Sequence, residues 1–393
     1  MEHETQSRPD HMSPGEEEVI VPHAATDALE PQSPDTHVAN ERDLSWAFLG
    51  DDGLRSGWSA LLFVTLYFLI SPFLDAIALA LDPHLAQRGF GPFRELITEL
   101  IPVTVIAIAG LLMARLEHRR LADYFLAGPR RARYFLVGLA SGFAALSALI
   151  GALAVGGWLR FGHVALHGAP ILKYGAIWAG AFLLVGLFEE GSFRCYLLFT
   201  LTRGINFWWA LAAVAGLCAL LRLSSDPNGS GGVFTVALLG LAPCWLVHRS
   251  RLASSSFWQA AWATSTAFAY FHTNNDGENW IGIFAAALIG FVFCVSVWIT
   301  RSAWWAIGCH AAWDWAETFF YGTPDSGLVA QGHLLTTRPV GNALWSGGAD
   351  GPEGSLLVVP VILLLLAGLL VANSRRRAPE MTAESEAAAP FSA

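Results

Sequence analysis

Ten stretches of mostly apolar residues run through this chain, at roughly 58–81, 94–114, 133–156, 173–200, 206–222, 232–248, 255–272, 280–299, 302–321 and 355–373. A helix that crosses a bilayer needs about 20 such residues. Turn chemistry separates the stretches, most clearly at Asp226-Pro227-Asn228-Gly229-Ser230-Gly231-Gly232 and at Thr273-Asn274-Asn275-Asp276-Gly277. With 54% hydrophobic and only 14% charged residues, and a mean hydropathy of +0.46, a soluble domain is excluded. The fold class is all-α, a polytopic membrane helix bundle of about ten transmembrane helices. Trp58, Trp158, Trp208, Trp209, Trp258, Trp280, Trp304 and Trp305 fall near the ends of these stretches, where interfacial anchors belong.

The net charge of −9 is a property of one tail. Residues 1–45 hold eleven acids against Arg8 and Arg42, so the body of the chain is neutral. This tail is rich in Pro, Glu and Ser and poor in aromatics, and is expected to be a disordered, solvated extension. It lacks the basic and apolar regions of a signal peptide. Cys195, Cys218, Cys244, Cys294 and Cys309 are scattered through apolar segments with no CxxC pair, and read as buried free thiols.

Arginine is distributed unevenly between alternate loops. With ten spans, Arg115, Arg119, Arg120, Arg130, Arg131, Arg133, Arg203, Arg249, Arg251, Arg301 and Arg375-Arg376-Arg377 share one side. The other side carries Arg88, Arg94, Arg160, Lys173, Arg222 and Arg338. The richer side is then cytoplasmic and holds both termini, including a C-terminal tail at 374–393. The Gly- and Pro-rich connection at 322–354 faces outward.

Three polar constellations interrupt the oily segments: Glu189-Glu190-Gly191-Ser192-Phe193-Arg194, Phe268-Ala269-Tyr270-Phe271-His272, and His310-Ala311-Ala312-Trp313-Asp314. Ionisable groups at membrane depth persist where they pair, line a wet cavity or do chemistry. Glu190 and Arg194 share a helix face at i and i+4, while Glu189 points about 100° away, so the two acids cannot play the same part. Phe268 and His272 share a face. His310, Asp314 and Glu317 follow an i, i+4, i+7 stripe in which a carboxylate can orient the imidazole. Taken singly, each group also fits a structural role: an ion pair between helices, a satisfied histidine at a helix end, a polar seam.

Together the groups make chemical sense. A carboxylate in an apolar setting can take a proton from water. Two imidazoles can orient that water and stabilise the oxyanion formed when it attacks a carbonyl. Other intramembrane protease designs are absent from the sequence: there is no HExxH, no GxSG and no paired-aspartate GxGD arrangement.

Glu-Glu-x-x-x-Arg, then Phe-x-x-x-His, then His-x-x-x-Asp resembles the CPBP family of intramembrane proteases. These are the CAAX proteases and bacteriocin-processing enzymes, also called the Abi group and related to the Ras-converting CAAX endopeptidase. The matching positions are Glu189, Glu190, Arg194, Phe268, His272, His310 and Asp314. The resemblance covers about residues 173–372, including Gly-Pro-Glu-Gly-Ser at 351–355, which looks like some bacterial members, so a bacterial plasma membrane is the expected location. It implies an endopeptidase in which the first of the paired glutamates activates water and the histidines hold the water and the oxyanion. Spacing alone does not choose between Glu189 and Glu190. Arg194 would position the acids, and Asp314, where eukaryotic enzymes have Asn, would orient His310.

On this reading 56–156 forms N-terminal transmembrane helices. The catalytic membrane domain is 173–373, with inserted helices at 206–248. The insertion makes the gap between Arg194 and His272 longer than the family pattern, but an even number of added spans preserves the side on which the next begins. The span boundaries place His272 some 10 Å or more outward of Glu190, at about 1.5 Å per residue. No cofactor is implied. Zinc on Glu189, His272 and His310 is the alternative, because two histidines and a glutamate can leave an open position for water. The expected partners are the bilayer and a membrane-associated protein or peptide substrate, with no nucleic acid. A proton-coupled transporter, or a non-enzymatic scaffold that keeps the motifs for packing, would use similar residues.

Overall fold

The computed structural model describes residues 45–50, 53–85, 89–223, 229–275, 277–325 and 327–387. The acidic tail, apart from Ser45, lies outside the described residues. Ten long helices form the body: α1 (Ser56–Leu81), α2 (Pro92–Leu116), α3 (Arg131–Val155), α4 (Ala169–Glu190), α5 (Phe207–Leu223), α6 (Gly229–Ser250), α7 (Ser255–His272), α8 (Trp280–Thr300), α9 (Trp304–Trp315) and α10 (Val358–Ala387). Each coincides with one of the ten apolar stretches. The last continues well past residue 373 into the stretch expected to be a tail.

Six of the helical segments, Ser56–Leu81, Pro92–Leu116, Arg131–Val155, Ala169–Thr202, Val233–Ser250 and Trp280–Thr300, are long and apolar enough to cross a membrane. Phe207–Leu223 and Val358–Ser374 are apolar but shorter. The chain is an integral multi-pass membrane protein, a helical bundle whose outer faces carry large apolar side chains such as Leu69, Phe73, Leu172 and Leu364. Pro72, Pro102 and Pro243 sit inside helices, as neighbouring helices in lipid allow.

Two helices widen before they end. α4 passes through a π-turn at Gly191–Leu197 into a final turn, Leu198–Thr202, and α9 passes into a π-turn at Ala316–Tyr321. π-turns inside helices recur at functional sites. Here they follow the two stretches that carry the acids and His310.

The connections sort by end of the bundle as an alternating count of spans requires. At one end, β1 (Leu159–Val164) pairs antiparallel with β2 (Leu335–Pro339), placing Leu159 opposite Pro339 and Phe161 opposite Thr337. The backbone N–H of Gln331 donates to Phe90 O at 2.9 Å, and the Asn279 side chain donates to Gly354 O. The connections after α1, α3, α7 and α9 therefore meet. At the other end, Glu117 accepts from Tyr124 and Tyr196 at 3.0 and 3.1 Å and pairs with Arg203 at 3.5 Å, while Ala303 N–H donates to Phe125 O.

Close backbone approach seats α9 against α3. A Cβ on Gly138 or Gly142 would collide with the carbonyls of Trp305 and Cys309, and one on Gly308 with that of Phe135. Small residues at such crossings are the usual means of packing helices in lipid, where burial alone drives little association. This contact corrects the placement of one tryptophan. Trp305 is buried in it at 4% exposure, whereas Trp58, Trp208, Trp209 and Trp280 are exposed at helix ends. The inserted pair α5 and α6 packs on α7: the Gln259 side chain donates to Cys244 O at 2.8 Å, and Gly240 lies against Val214 and Thr266.

Candidate active site

The last turn of α4 and the middle of α9 face each other. His310 projects between the paired glutamates. Its Nδ1 is 3.0 Å from Glu190 Oε1 and its Nε2 is 3.5 Å from Glu189 Oε2. Asp314, one turn on, reaches Nε2 at 3.5 Å, as the i, i+4 spacing requires. One imidazole thus meets three carboxylates from two helices.

The two glutamates differ in environment. The Glu190 side chain is 0% exposed and its Oε1 pairs with Arg194 Nη1 at 3.2 Å, the Arg194 side chain being equally buried. The Glu189 side chain is 23% exposed. Glu190 belongs to a sealed ion pair, whereas Glu189 is partly exposed, with its Oε2 buried and without a hydrogen-bond partner among the described residues.

Aromatic rings close around the pair. The Arg194 guanidinium lies 4.3 Å from the Phe268 ring centre, 5.4 Å from that of Phe293 and 5.7 Å from that of Phe193. Cation–π contacts of this kind strengthen when desolvated. Gly290 of α8 leaves room for the head group: a Cβ there would collide with Arg194 Nη2. The His310 ring stacks on Phe293 at 5.8 Å and meets the edge of Phe268 at 6.1 Å. Glu190 Oε2 and Arg194 Nε and Nη2 are buried with no hydrogen-bond partner among the described residues, so the pair keeps polar capacity at its inner face.

His272 stands apart from this cluster. Its Nδ1 lies 2.9 Å from the carbonyl of Phe268 in its own helix, and its ring centre is 4.5 Å from that of Phe268. Among the described residues it pairs with no carboxylate. Phe268 shares the depth of Arg194 and His310, and His272 comes one turn, about 6 Å, further along α7. The Phe268 ring lies between His272 and the Glu190–Arg194 pair, touching both. Among the described residues no group of three His, Cys, Asp or Glu side chains is spaced as metal ligands are.

Other groups near the site went unread in the sequence. Glu99, and through it Glu95, lies in electrostatic range of Glu189 from α2, and Tyr67 of α1 lies in range of both Glu99 and Glu189. The Tyr67 ring stacks on Phe188 at 5.8 Å. Their signal was the one that revealed Glu189: ionisable residues inside an apolar stretch. Glu317, the third member of the α9 stripe, turns away from His310 and joins a separate group of acids at the end of the bundle.

Compared with known families, the chain matches the type II CAAX prenyl endopeptidase Rce1-like family over residues 171–257 and 250–316. The matched region holds Glu189, Glu190, Arg194, Phe268, His272, His310 and Asp314, and stops short of 351–355. No curated protein and no solved structure matches the chain.

Proposed function

We propose that this chain, which matches the Rce1-like CAAX endopeptidase family over residues 171–316, is an intramembrane peptidase that hydrolyses its substrate with water activated by Glu189. The observation that carries the choice is the asymmetry of the paired acids. Both meet His310, but Glu189 is partly open while Glu190 is sealed against Arg194. A general base must reach the proton it abstracts, and of the two acids only Glu189 has exposed side-chain surface.

In the proposed reaction Glu189 removes a proton from water as the oxygen attacks the scissile carbonyl carbon. The carbonyl oxygen takes up negative charge and is met by hydrogen bonds from imidazole, first that of His310. Glu190 holds the His310 ring in place through Nδ1, an orienting role that second partners of working histidines commonly fill, and Nε2, 3.5 Å from both Asp314 and Glu189, is left to donate to the oxyanion while Asp314 supports its charge. Glu189 then returns the proton to the departing amine as the C–N bond breaks, leaving a carboxylate and an amine. His272, one turn beyond Phe268, is assigned to the substrate side of the site. There a bound peptide would bring its carbonyl between the two rings. Arg194 fixes Glu190 and the turn that carries Glu189. The low dielectric of the surrounding apolar rings strengthens each of these interactions.

The proposed substrate is a membrane-associated protein or peptide of CAAX type, presented from the bilayer. The Arg-rich loops supply the proposed orientation, with both termini cytoplasmic. Membranes expressing the wild-type chain would be compared with Glu189→Ala, His272→Ala and His310→Ala variants by proteomics of juxtamembrane and C-terminal fragments. Fragments made by the wild type and lost in the variants are expected. An unchanged fragment set in all three would sink the proposal.

A further inference from the structure

The α9 helix carries a second group of acids on its far side. Trp313, three residues after His310, donates its indole N–H to Glu353 Oε1 at 2.6 Å. Glu353 sits in the short turn Pro352–Gly354, within the Gly-Pro-Glu-Gly-Ser run. One turn beyond Trp313, Glu317 is 2% exposed, and its Oε1 has no hydrogen-bond partner among the described residues. That oxygen points at the same loop, 3.2 Å from where a Cβ on Gly351 would lie. Gly351 has φ of +98°, a conformation that favours glycine.

Two further contacts close on this loop. Thr318 donates to Asp325 Oδ2 at 2.5 Å. Asp350 Oδ2 accepts the backbone N–H of Asn279 at 3.2 Å, where Asn279 caps the start of α8. A Cβ on Gly282 would collide with both Glu278 Oε1 and Asp350 Oδ2, so these two oxygens converge on the first turn of α8. Four carboxyl groups, from two connections and the π-turn after α9, thus gather around Glu353.

Their surroundings hold few opposite charges. Glu353 faces His310, Trp313, Asp314 and Glu317 on α9, Asp325 and Asp350 on the connection after α9, and Glu278 beside α8. The outer half of α3 and the start of α10, which also pack here, have no ionisable side chain. Burial, and then the neighbouring Asp325 and Asp350, push the Glu353 carboxyl up to about 8. Glu278 and Asp350 are raised as well, in both cases first by burial. The space is tight: Glu317 is sealed, and carbonyl or carboxylate oxygens stand where a methyl on Gly351 or Gly282 would go. Among the described residues no group of three such side chains is spaced to hold a metal ion.

We propose that Glu353 is a positioning residue for His310, acting through Trp313, and that the carboxyl cluster around it is a proton-held clasp fixing α9 to the neighbouring connections, firm while its groups share protons and loosened as they ionise. Only the consequence for catalysis rests on the reading of His310 given above. The clasp itself rests on the carboxyl geometry.

The sign follows from linkage. Groups whose folded-state affinity for protons is raised make the fold lose stability as pH climbs towards their folded titration point. The test is the thermal midpoint of the purified full-length protein in detergent between about pH 6 and about pH 9. The wild-type midpoint is expected to fall from the acid end of this range upward, with the Glu353 share of the loss complete by about pH 8. Glu353→Gln, whose amide oxygen still accepts from the indole but cannot ionise, is expected to match the wild type at the acid end and to fall less at the alkaline end. Glu353→Ala, which leaves the indole unpaired, is expected to melt several degrees lower at the acid end. A Glu353→Gln variant that tracks the wild type at every pH, or a Glu353→Ala variant that melts like it, would overturn the clasp. In a cleavage assay Glu353→Gln should extend activity towards higher pH. If the melting behaviour is as expected but no form of the protein cleaves, the protease reading fails and the clasp stands.

Discussion

Replacing Arg194 with Met tests whether the sealed ion pair holds the active-site helices together. Arg194 and Glu190 are both fully buried, 3.2 Å apart. Three aromatic rings lie within 5.7 Å of the guanidinium. Removing one member of a buried pair leaves the other charge without compensation, which typically destabilises by 3–5 kcal/mol. The lost cation–π contacts add about 1–2 kcal/mol. Two effects act the other way: Glu190 keeps its contact with His310 at 3.0 Å, and the methionine fills part of an apolar site. A net loss of about 3 kcal/mol is expected for Arg194→Met, with a similar loss for Glu190→Gln. The double variant removes both charges and should lose at least ~2 kcal/mol less than the two singles summed. Reversible unfolding in mixed micelles, run as a double-mutant cycle, measures this coupling. Effects that add to within about 0.5 kcal/mol would show that the two residues do not act as a pair.

Further outcomes follow from the packing around the site. Gly290→Ala should push the Arg194 head group out of its seat and destabilise by about 1–3 kcal/mol, as overpacking does, with the same unfolding assay as the check. Gly142→Leu should lose a similar amount by separating α3 from α9 at Cys309. Asp314→Asn should leave the fold intact and lower cleavage by about tenfold or more, the usual effect of losing a histidine's carboxylate partner. In a cleavage time course, full activity would refute that role. Activity is expected to survive chelation, and stoichiometric zinc whose removal abolishes turnover would overturn the metal-free mechanism.

The helices were legible because each is an apolar stretch bounded by turn residues, and lipid enforces that signal on every span. The i, i+4 pairs Glu190–Arg194 and His310–Asp314 were legible for a similar reason, since helical spacing alone brings them together. What was hidden depends on which helices meet. The position of His310 between both glutamates requires α9 to lie against α4, and that follows from the close contact of Gly186 with Ile307 and Ala311, which no periodicity announces. The π-turns after Glu190 and Trp315 have no sequence signature comparable to a cap. β1 and β2 lie far apart in the chain and read as connections until paired. Trp305 was misplaced because a tryptophan at a helix end serves equally as an anchor or as core. Glu99 carries the same signal as Glu189, an acid inside an apolar stretch.

The central claim is that Glu189 and Glu190, adjacent in sequence, do different work: one is the open base and the other half of a sealed pair. Stability and cleavage measured together on Glu189→Gln and Glu190→Gln test it most directly. Glu189→Gln is predicted to unfold like the wild type while cleavage disappears, and Glu190→Gln to lose stability. A Glu189→Gln protein that still cleaves would contradict the account.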